Sequence, residues 1–398
     1  AVGVVVSASC AAPPPEIGGT VQERPVRSVV TRDVDHPPRP DCEAWRYPAP
    51  DPAAQPADYD GTNYRDDSTR DATVARSQQR LCGQRGAAND LAWGVTHGRD
   101  DVMTAVLDSG ISWADPGQGR DLAERAHVNA GEVPKPTGST SHDANGDGIV
   151  SASDWAGDRR VGDRNRSGWT DPQDLIESFS DGIDDDGNGY IDDISGWDFL
   201  FGDNDPYDNV DYGHGTGMAA DAVASDGGSG AVGVCFECRV LHVRVGDSFI
   251  ADGARFAAGV LFAVDSGAAV VQESLGVISN PVQAQQAIDA AAGRRVAIAA
   301  SMADEASKHP TLPAALDRTI PVNSITTGLG PLTDLAGEVG IGGDYLALNG
   351  CTNYGGIAWI SVPSNSCSSE ATGRLGGMLA LIVAAARDAG VARHPGIV

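Results

Sequence analysis

Three short segments carry the side chains of an acyl-transfer site: Asp108-Ser109-Gly110, His214-Gly215-Thr216-Gly217 and Ser369-Glu370-Ala371-Thr372-Gly373. Attack by an alcohol needs three groups. A hydroxyl attacks, an imidazole takes its proton, and a carboxylate fixes the tautomer of the imidazole. Each residue alone has an ordinary explanation: an Asp that closes a turn, a structural His, a Ser that caps a helix. All three, each beside an apolar run, are better explained together. Ser368, immediately before Ser369, is the rival hydroxyl.

The apolar runs set where these groups would stand. Val102–Leu107 is a short, nearly all-apolar run, as a strand covered on both faces requires, and Asp108 follows it. Residues 217–224 are small and helix-compatible. Arg239–Val245 alternates as a strand, and Ile250–Ser266 has helical spacing through Phe256, Val260 and Ala263, with Gly267 as a stop. Ala268–Val271 reads as a strand leading into Ser274-Leu275-Gly276. Asn280-Pro281 reads as the cap and first turn of a helix to Ala292. Val296–Ala300 and Thr319–Val322 are further strands, and Ala371–Ala386 is an alanine-rich helix. Strands alternating with helices predict an α/β fold, three layers α/β/α around a mainly parallel central sheet. In such sheets sites gather at the carboxyl ends of strands.

The three segments, in the order Asp, His, Ser, resemble the subtilisin-like serine peptidases (subtilases), from about Asn89 to the C-terminus. Gly213-His214-Gly215-Thr216 resembles the family's histidine motif, but Gly217 stands where a second histidine is usual. Ser369-Glu370-Ala371-Thr372 and Gly377 resemble the serine motif, with Gly373 in place of proline and Cys367-Ser368 in place of Gly-Thr. Ser274-Leu275-Gly276 resembles the strand whose backbone pairs with an extended peptide, and Asn353-Tyr354-Gly355 resembles a segment upstream of the serine. The resemblance implies a serine endopeptidase acting on polypeptide, with Asp108, His214 and Ser369 catalytic. Subtilases place an asparagine at the oxyanion position; the corresponding residue here is Asp304. An ionised carboxylate cannot donate to an oxyanion, whereas a protonated one can. The alternative reading is a catalytically impaired subtilase-like protein that binds peptides or serves at a surface.

The stretch between Ser141 and Ser195 holds fourteen Asp and Glu against four Arg and no Lys. Three repeats of oxygen-bearing residues around a glycine lie in it, spaced as in EF-hand or dockerin loops. The first offers Asp143, Asn145, Asp147, the Ile149 carbonyl and Asp154; the second Asp163, Asn165, Ser167 and Asp174, with Asp171 between. The third offers Asp184, Asp186 and Asn188, with Asp192 or Asp193 closing. So much carboxylate would repel itself without a cation, and calcium is the expected cofactor. Solvated Asx-Gly turns are the plainer alternative.

The net charge of −27 makes nucleic acid and anionic membrane surfaces poor partners, and no run of about 18 apolar residues spans a bilayer. Ala1–Ala8 followed by Ser9-Cys10 reads as the tail of an export signal, with a possible lipid anchor at Cys10. The remaining six cysteines suit an oxidising compartment, with local pairs 42–82, 235–238 and 351–367; zinc or free thiols at Cys235 and Cys238 stay open. The expected organisation is a signal remnant over 1–10, a linker and arm over 11–88, and a peptidase domain over 89–398 carrying an acidic insertion at about 141–195. A secreted or cell-envelope monomer is expected.

Overall fold

The computed structural model describes residues 52–54, 89–210, 212–226, 232–247, 249–309, 311–326, 333–334, 337–338, 347–364 and 366–391. The expectations for the export signal, Cys10, the arm before residue 89 and the Cys42–Cys82 pair lie outside these residues, apart from a short 3-10 turn at Pro52–Ala54.

The chain runs β1 (Met103–Asp108), β2 (Trp197–Asp198), β3 (Arg239–Arg244), β4 (Ile250–Asp252), β5 (Val270–Glu273), β6 (Gly276–Ile278), β7 (Ala297–Ser301), β8 (Ile320–Thr326), β9 (Thr333–Asp334), β10 (Gly337–Glu338), β11 (Ala347–Leu348) and β12 (Ile360–Pro363). The helices are α1 (Asn89–Ala92), α2 (Gly119–Ala123), α3 (Pro172–Phe179), α4 (His214–Val223), α5 (Gly253–Asp265), α6 (Pro281–Gly293) and α7 (Ser368–Asp388). The main sheet has the order β11-β8-β7-β5-β1-β3-β2, with β12 also on β8. Every pairing in it is parallel except β11 with β8.

The pleat explains the layers. Val106 and Val240 face one apolar cluster with α4 and α7, while Ala105, Leu107, Leu241 and Val243 face a second with α5 and α6. β1 is buried along its whole length because helices cover both faces. The three-layer α/β/α expectation is therefore met.

Three local expectations are corrected. Ile250–Asp252 is not the first turn of a helix: it pairs in parallel with β6, and helix α5 starts at Gly253, capped by the Asp252 carboxylate accepting from Ala254 N–H. Asn280 precedes α6 but does not cap it through its side chain; its backbone is left-handed at φ 43°. Helix α7 begins at Ser368, earlier than the apolar pattern suggests. Cys235–Cys238 and Cys351–Cys367 are disulfides, with Cα separations of 5.3 and 5.8 Å. The second ties the segment carrying Asn353 to the residue that opens α7.

One buried group makes the core sensitive to acid. His242 on β3 is 1% exposed, stacks edge-on with Trp113 at 4.8 Å, and neither ring nitrogen has a hydrogen-bond partner. Burial, then the neighbouring His127, pushes its pKa down to about 3. The unfolded chain takes this proton near the ordinary value of about 6.5, so stability present above that pH is lost as pH falls toward the folded value. Urea midpoints at pH 7 and pH 4 are expected to differ by less in His242→Leu than in the parent chain; equal differences would contradict this.

Candidate active site

Asp108 ends β1 and is fully buried. Its Oδ1 accepts the Ser109 N–H at 2.8 Å and lies 2.7 Å from His214 Nδ1. That contact assigns the Nδ1–H tautomer and leaves Nε2 with its lone pair; Nε2 is buried and has no hydrogen-bond partner among the described residues. Burial lowers the His214 pKa, but the Asp108 charge and hydrogen bond, helped by Asp208 and Asp304, outweigh it and hold the imidazole above the ordinary histidine value.

The glycines around these residues are packing requirements. A Cβ on Gly215 would sit 2.3 Å from the Gly110 carbonyl oxygen, and one on Gly110, at φ 100°, would sit 2.2 Å from the Pro206 oxygen. Both must be glycine for α4 to meet the end of β1 this closely. The Ser109 hydroxyl then accepts Gly215 N–H at 2.9 Å and fixes the junction.

Ser369 lies in the first turn of α7, a 21-residue helix. Its hydroxyl donates to the Ser274 carbonyl at 3.1 Å, and the Ser274 hydroxyl donates to the Ser369 carbonyl at 3.2 Å. It makes no hydrogen bond to His214 Nε2. Ser368 is fully buried and committed: its hydroxyl donates to Asp304 Oδ1 at 2.6 Å and lies 2.6 Å from the Ser301 hydroxyl. The Ser368 N–H donates to the same Oδ1 at 2.8 Å, so Asp304 satisfies an otherwise orphaned amide at the start of α7. Asp304 Oδ2 has no hydrogen-bond partner among the described residues. Burial, opposed by the two Ser368 bonds, raises the Asp304 pKa.

The Ser274–Gly276 segment, which resembles a peptide-pairing strand, is engaged with β4. Ser274 and Leu275 are buried, the Gly276 N–H donates to the Phe249 carbonyl at 2.8 Å, and Gly276 pairs with Ile250. Tyr212 and Phe249 flank His214, with ring centroids 6.0 and 5.2 Å from the imidazole.

The three acidic repeats fold alike. In each, the first aspartate takes the N–H of the glycine five residues on: Asp143 from Gly148, Asp163 from Gly168, Asp184 from Gly189. The third position accepts the N–H two residues on, through Asn145, Asn165 and Asp186. Asp147 and Asn188 repeat that bond one step later, to Ile149 and Tyr190. In the first two loops the closing residues, Asp154 and Asp174, turn back to Ala144 N–H and Arg164 N–H. Both also complete capping boxes, with Ser151 and with Asp171. The third loop closes differently. Asp192 turns away to the N–H groups of Asp181 and Gly182, while Asp193 turns in toward Asn188 and Asn129. Glu132 arrives from outside the repeat and accepts Asp186 N–H and Asp192 N–H. Oxygens of Glu132, Asp186 and Asp193 lie within 4.8 Å of one another. Burial, with the charges of Asp186 and Glu132, pushes Asp193 up to about 7. Burial and the neighbouring Asp171 push Asp174 up to about 6. Glu132 was not legible from local spacing, because it lies more than fifty residues before its partners.

The family is decided by a match over most of the chain. The subtilase family profile matches residues 99–392, and the chain belongs to the subtilase family. Thermitase of Thermoactinomyces vulgaris is 32% identical over 133 residues, which cover 33% of this chain and 47% of that protein. A thermophilic serine proteinase of Bacillus sp. (strain AK1) is 29% identical over 137 residues, 33% of each chain. The matched region thus spans half or less of either relative's length. Among solved structures, the prenylagaramide maturation protease PagA aligns with TM-score 0.46 and 17% identity, covering 78% of this chain and 84% of that one. The patellamide maturation protease PatA aligns with TM-score 0.42 and 15% identity, covering 75% and 84%. No helix among the described residues is long and apolar enough to cross a membrane.

Proposed function

We propose that the chain is an exported serine endopeptidase in which Ser369 attacks the peptide carbonyl, His214 is the base and Asp108 orients it. The observation that carries this reading is the 2.7 Å contact between Asp108 Oδ1 and His214 Nδ1 at the end of β1, which leaves Nε2 without a hydrogen-bond partner among the described residues. Ser369 is favoured over Ser368 because the Ser368 hydroxyl is buried and held by Asp304 and Ser301. Among the described residues the Ser369 hydroxyl is held only by the Ser274 carbonyl, a bond it would give up to serve as nucleophile.

The chemistry then runs in two stages. His214 Nε2 takes the Ser369 proton as Oγ bonds to the carbonyl carbon, and the imidazolium returns it to the leaving amine. Water, activated by the same nitrogen, then breaks the acyl-enzyme. The developing oxyanion meets the Ser369 N–H at the positive end of α7 and Asp304 Oδ2. Oδ1 is fixed by Ser368, so the free oxygen is the one that must carry the donor proton.

Asp108→Asn, which keeps the shape but favours the wrong tautomer, is expected to lower kcat on a peptide substrate by about 10⁴-fold. A loss below tenfold would contradict the assignment.

We further propose that calcium binds the three loops of the insertion. Asp143, Asn145, Asp147, Ile149 O and Asp154 would hold one ion; Asp163, Asn165, Ser167 and Asp174 a second; Asp184, Asp186, Asn188, Asp193 and Glu132 a third. The donors are all hard oxygens, which suits this ion, and Glu132, Asp186 and Asp193 bring carboxylate oxygens within 4.8 Å of one another. Bound calcium would offset more than half of the insertion's excess negative charge. Calcium is expected to raise the melting temperature and chelator to lower it; an unchanged melting curve on chelation would sink this part. The alternative, an impaired peptide-binding subtilase, is favoured only by Asp304 and by the unmade Ser369–His214 bond.

A further inference from the structure

We propose that the hollow beside His214, opened by glycine at position 217, is a substrate subsite for a cationic side chain, arginine or lysine, near the bond to be cleaved. The inference rests on the peptidase reading above and adds a side-chain preference to it.

The hollow has a volume of about 740 Å³ and is lined by Asp115, Asp208, Tyr212, Thr216 and Gly217 among others. That is the size of a small-ligand pocket, for which about 300–1,000 Å³ is usual. It begins at the first turn of α4. Tyr212, Gly213, Thr216 and Gly217, the neighbours of His214 in sequence, line it, and the Tyr212 ring stacks on the imidazole with centroids 6.0 Å apart, so one wall of the hollow is shared with the base. Gly217 is the departure noted in the histidine motif, where a second imidazole is usual. A Cβ built on it meets nothing within 4 Å, so the missing side chain is matched by open space rather than by repacking.

The lining has one sign of charge. Asp208 is 3% exposed; its Oδ2 accepts the Thr216 hydroxyl and its Oδ1 the Val210 N–H, both at 3.2 Å. Asp115 Oδ1 accepts the N–H groups of Gly117 and Gln118 at 2.9 and 2.7 Å, and its other oxygen makes no hydrogen bond among the described residues. No Lys or Arg is among the described residues that line the hollow. Arg244 reaches the same loop, but its guanidinium is engaged by the Tyr207 carbonyl, Asn209 Oδ1 and Asp198. The Ser112 and Tyr207 hydroxyls, 3.1 Å apart, add further acceptors. Two carboxylates in a recessed, partly dry wall focus a negative potential that favours a cation. A planar guanidinium suits the set best, because it pairs with a carboxylate while lying against the exposed Tyr212 ring.

The test uses the full chain carrying Ser369→Ala, so that binding is read without turnover. Peptides are scanned with arginine or citrulline, its uncharged isostere, at each of three positions on either side of the expected scissile bond. At one position arginine is expected to bind about tenfold or more tightly than citrulline. Adding Gly217→His, which fills the hollow, is expected to abolish that preference while the citrulline peptide binds within about twofold of its former affinity. Asp115→Asn is expected to weaken the preference, and Gly217→Ala, a methyl in open space, to keep it. Absence of an arginine preference at every position, or its survival in Gly217→His, overturns the proposal. Labelling of Ser369 by a fluorophosphonate in the parent chain does not depend on the hollow. A chain that labels but shows no charge preference loses this inference alone; one that does not label loses the peptidase reading.

Discussion

Asp304→Asn is expected to raise kcat at pH 7–8 by about 10²-fold, with KM little changed. An asparagine amide donates at every pH, whereas the aspartate donates only when protonated. The two required protonation states oppose each other here. Burial raises Asp304, but it remains an acid whose neutral form becomes scarce as pH rises. His214, held above the ordinary histidine value chiefly by Asp108, must lose its proton to act as a base. Lowering the pH favours the Asp304 form that donates and disfavours the His214 form that accepts a proton, so the two requirements pull the rate in opposite directions. A single oxyanion donor is worth on the order of 10²–10³ in rate, so restoring it dominates other changes at the site. Removing the Asp304 charge also removes one of the influences that raises His214, so the acidic limb of the rate profile should move to lower pH. Activity lowered at every pH would show that Asp304 Oδ2 is not the donor and that the carboxylate serves only to anchor Ser368.

Glu273→Met is expected to stabilise the fold, by about 1–3 kcal/mol at neutral pH, the cost of burying a polar group whose hydrogen bonds are not fully made. Glu273 is fully buried on β5, in register with Leu107 on one side and Ala300 on the other, and among the described residues its carboxyl has no side-chain partner, with only the Leu275 backbone N–H oriented toward it. Burial, and then the Asp108 charge, raise its pKa well above the ordinary value. The sign follows from linkage. The folded state holds a proton that the unfolded chain releases above about pH 4.3, so stability present below that pH is lost as pH rises toward the folded value. The gain from Glu273→Met should therefore grow between pH 5 and pH 8. Melting temperatures across that range test it; a variant that melts lower at every pH would mean that the carboxyl makes a contact worth more than its desolvation.

The parts of this molecule that were legible in its sequence are those set by neighbouring residues. Buried parallel strands announce themselves as apolar runs, and Asp108 at the end of such a run was placed correctly because the pattern and the position rule coincide. The glycines around His214 were visible as a motif; that Gly215 clears the Gly110 carbonyl needed coordinates. Distant partners were not legible. Glu132 closes the third acidic loop from another segment, and nothing near it in sequence marks it. Ile250–Asp252 carries helical spacing, yet β6 offers it a ladder, and tertiary pairing wins over local pattern. The commitment of Ser368 to Asp304 adds a geometric reason to the preference for Ser369 that the Ala371-Thr372 register already gave.

The most direct measurement is covalent labelling of the full chain with a fluorophosphonate, followed by peptide mapping. The account predicts one phosphonylated residue, Ser369, with labelling lost in Ser369→Ala, retained in Ser368→Ala and strongly slowed in His214→Ala. An unlabelled chain, or a label on Ser368, would contradict it.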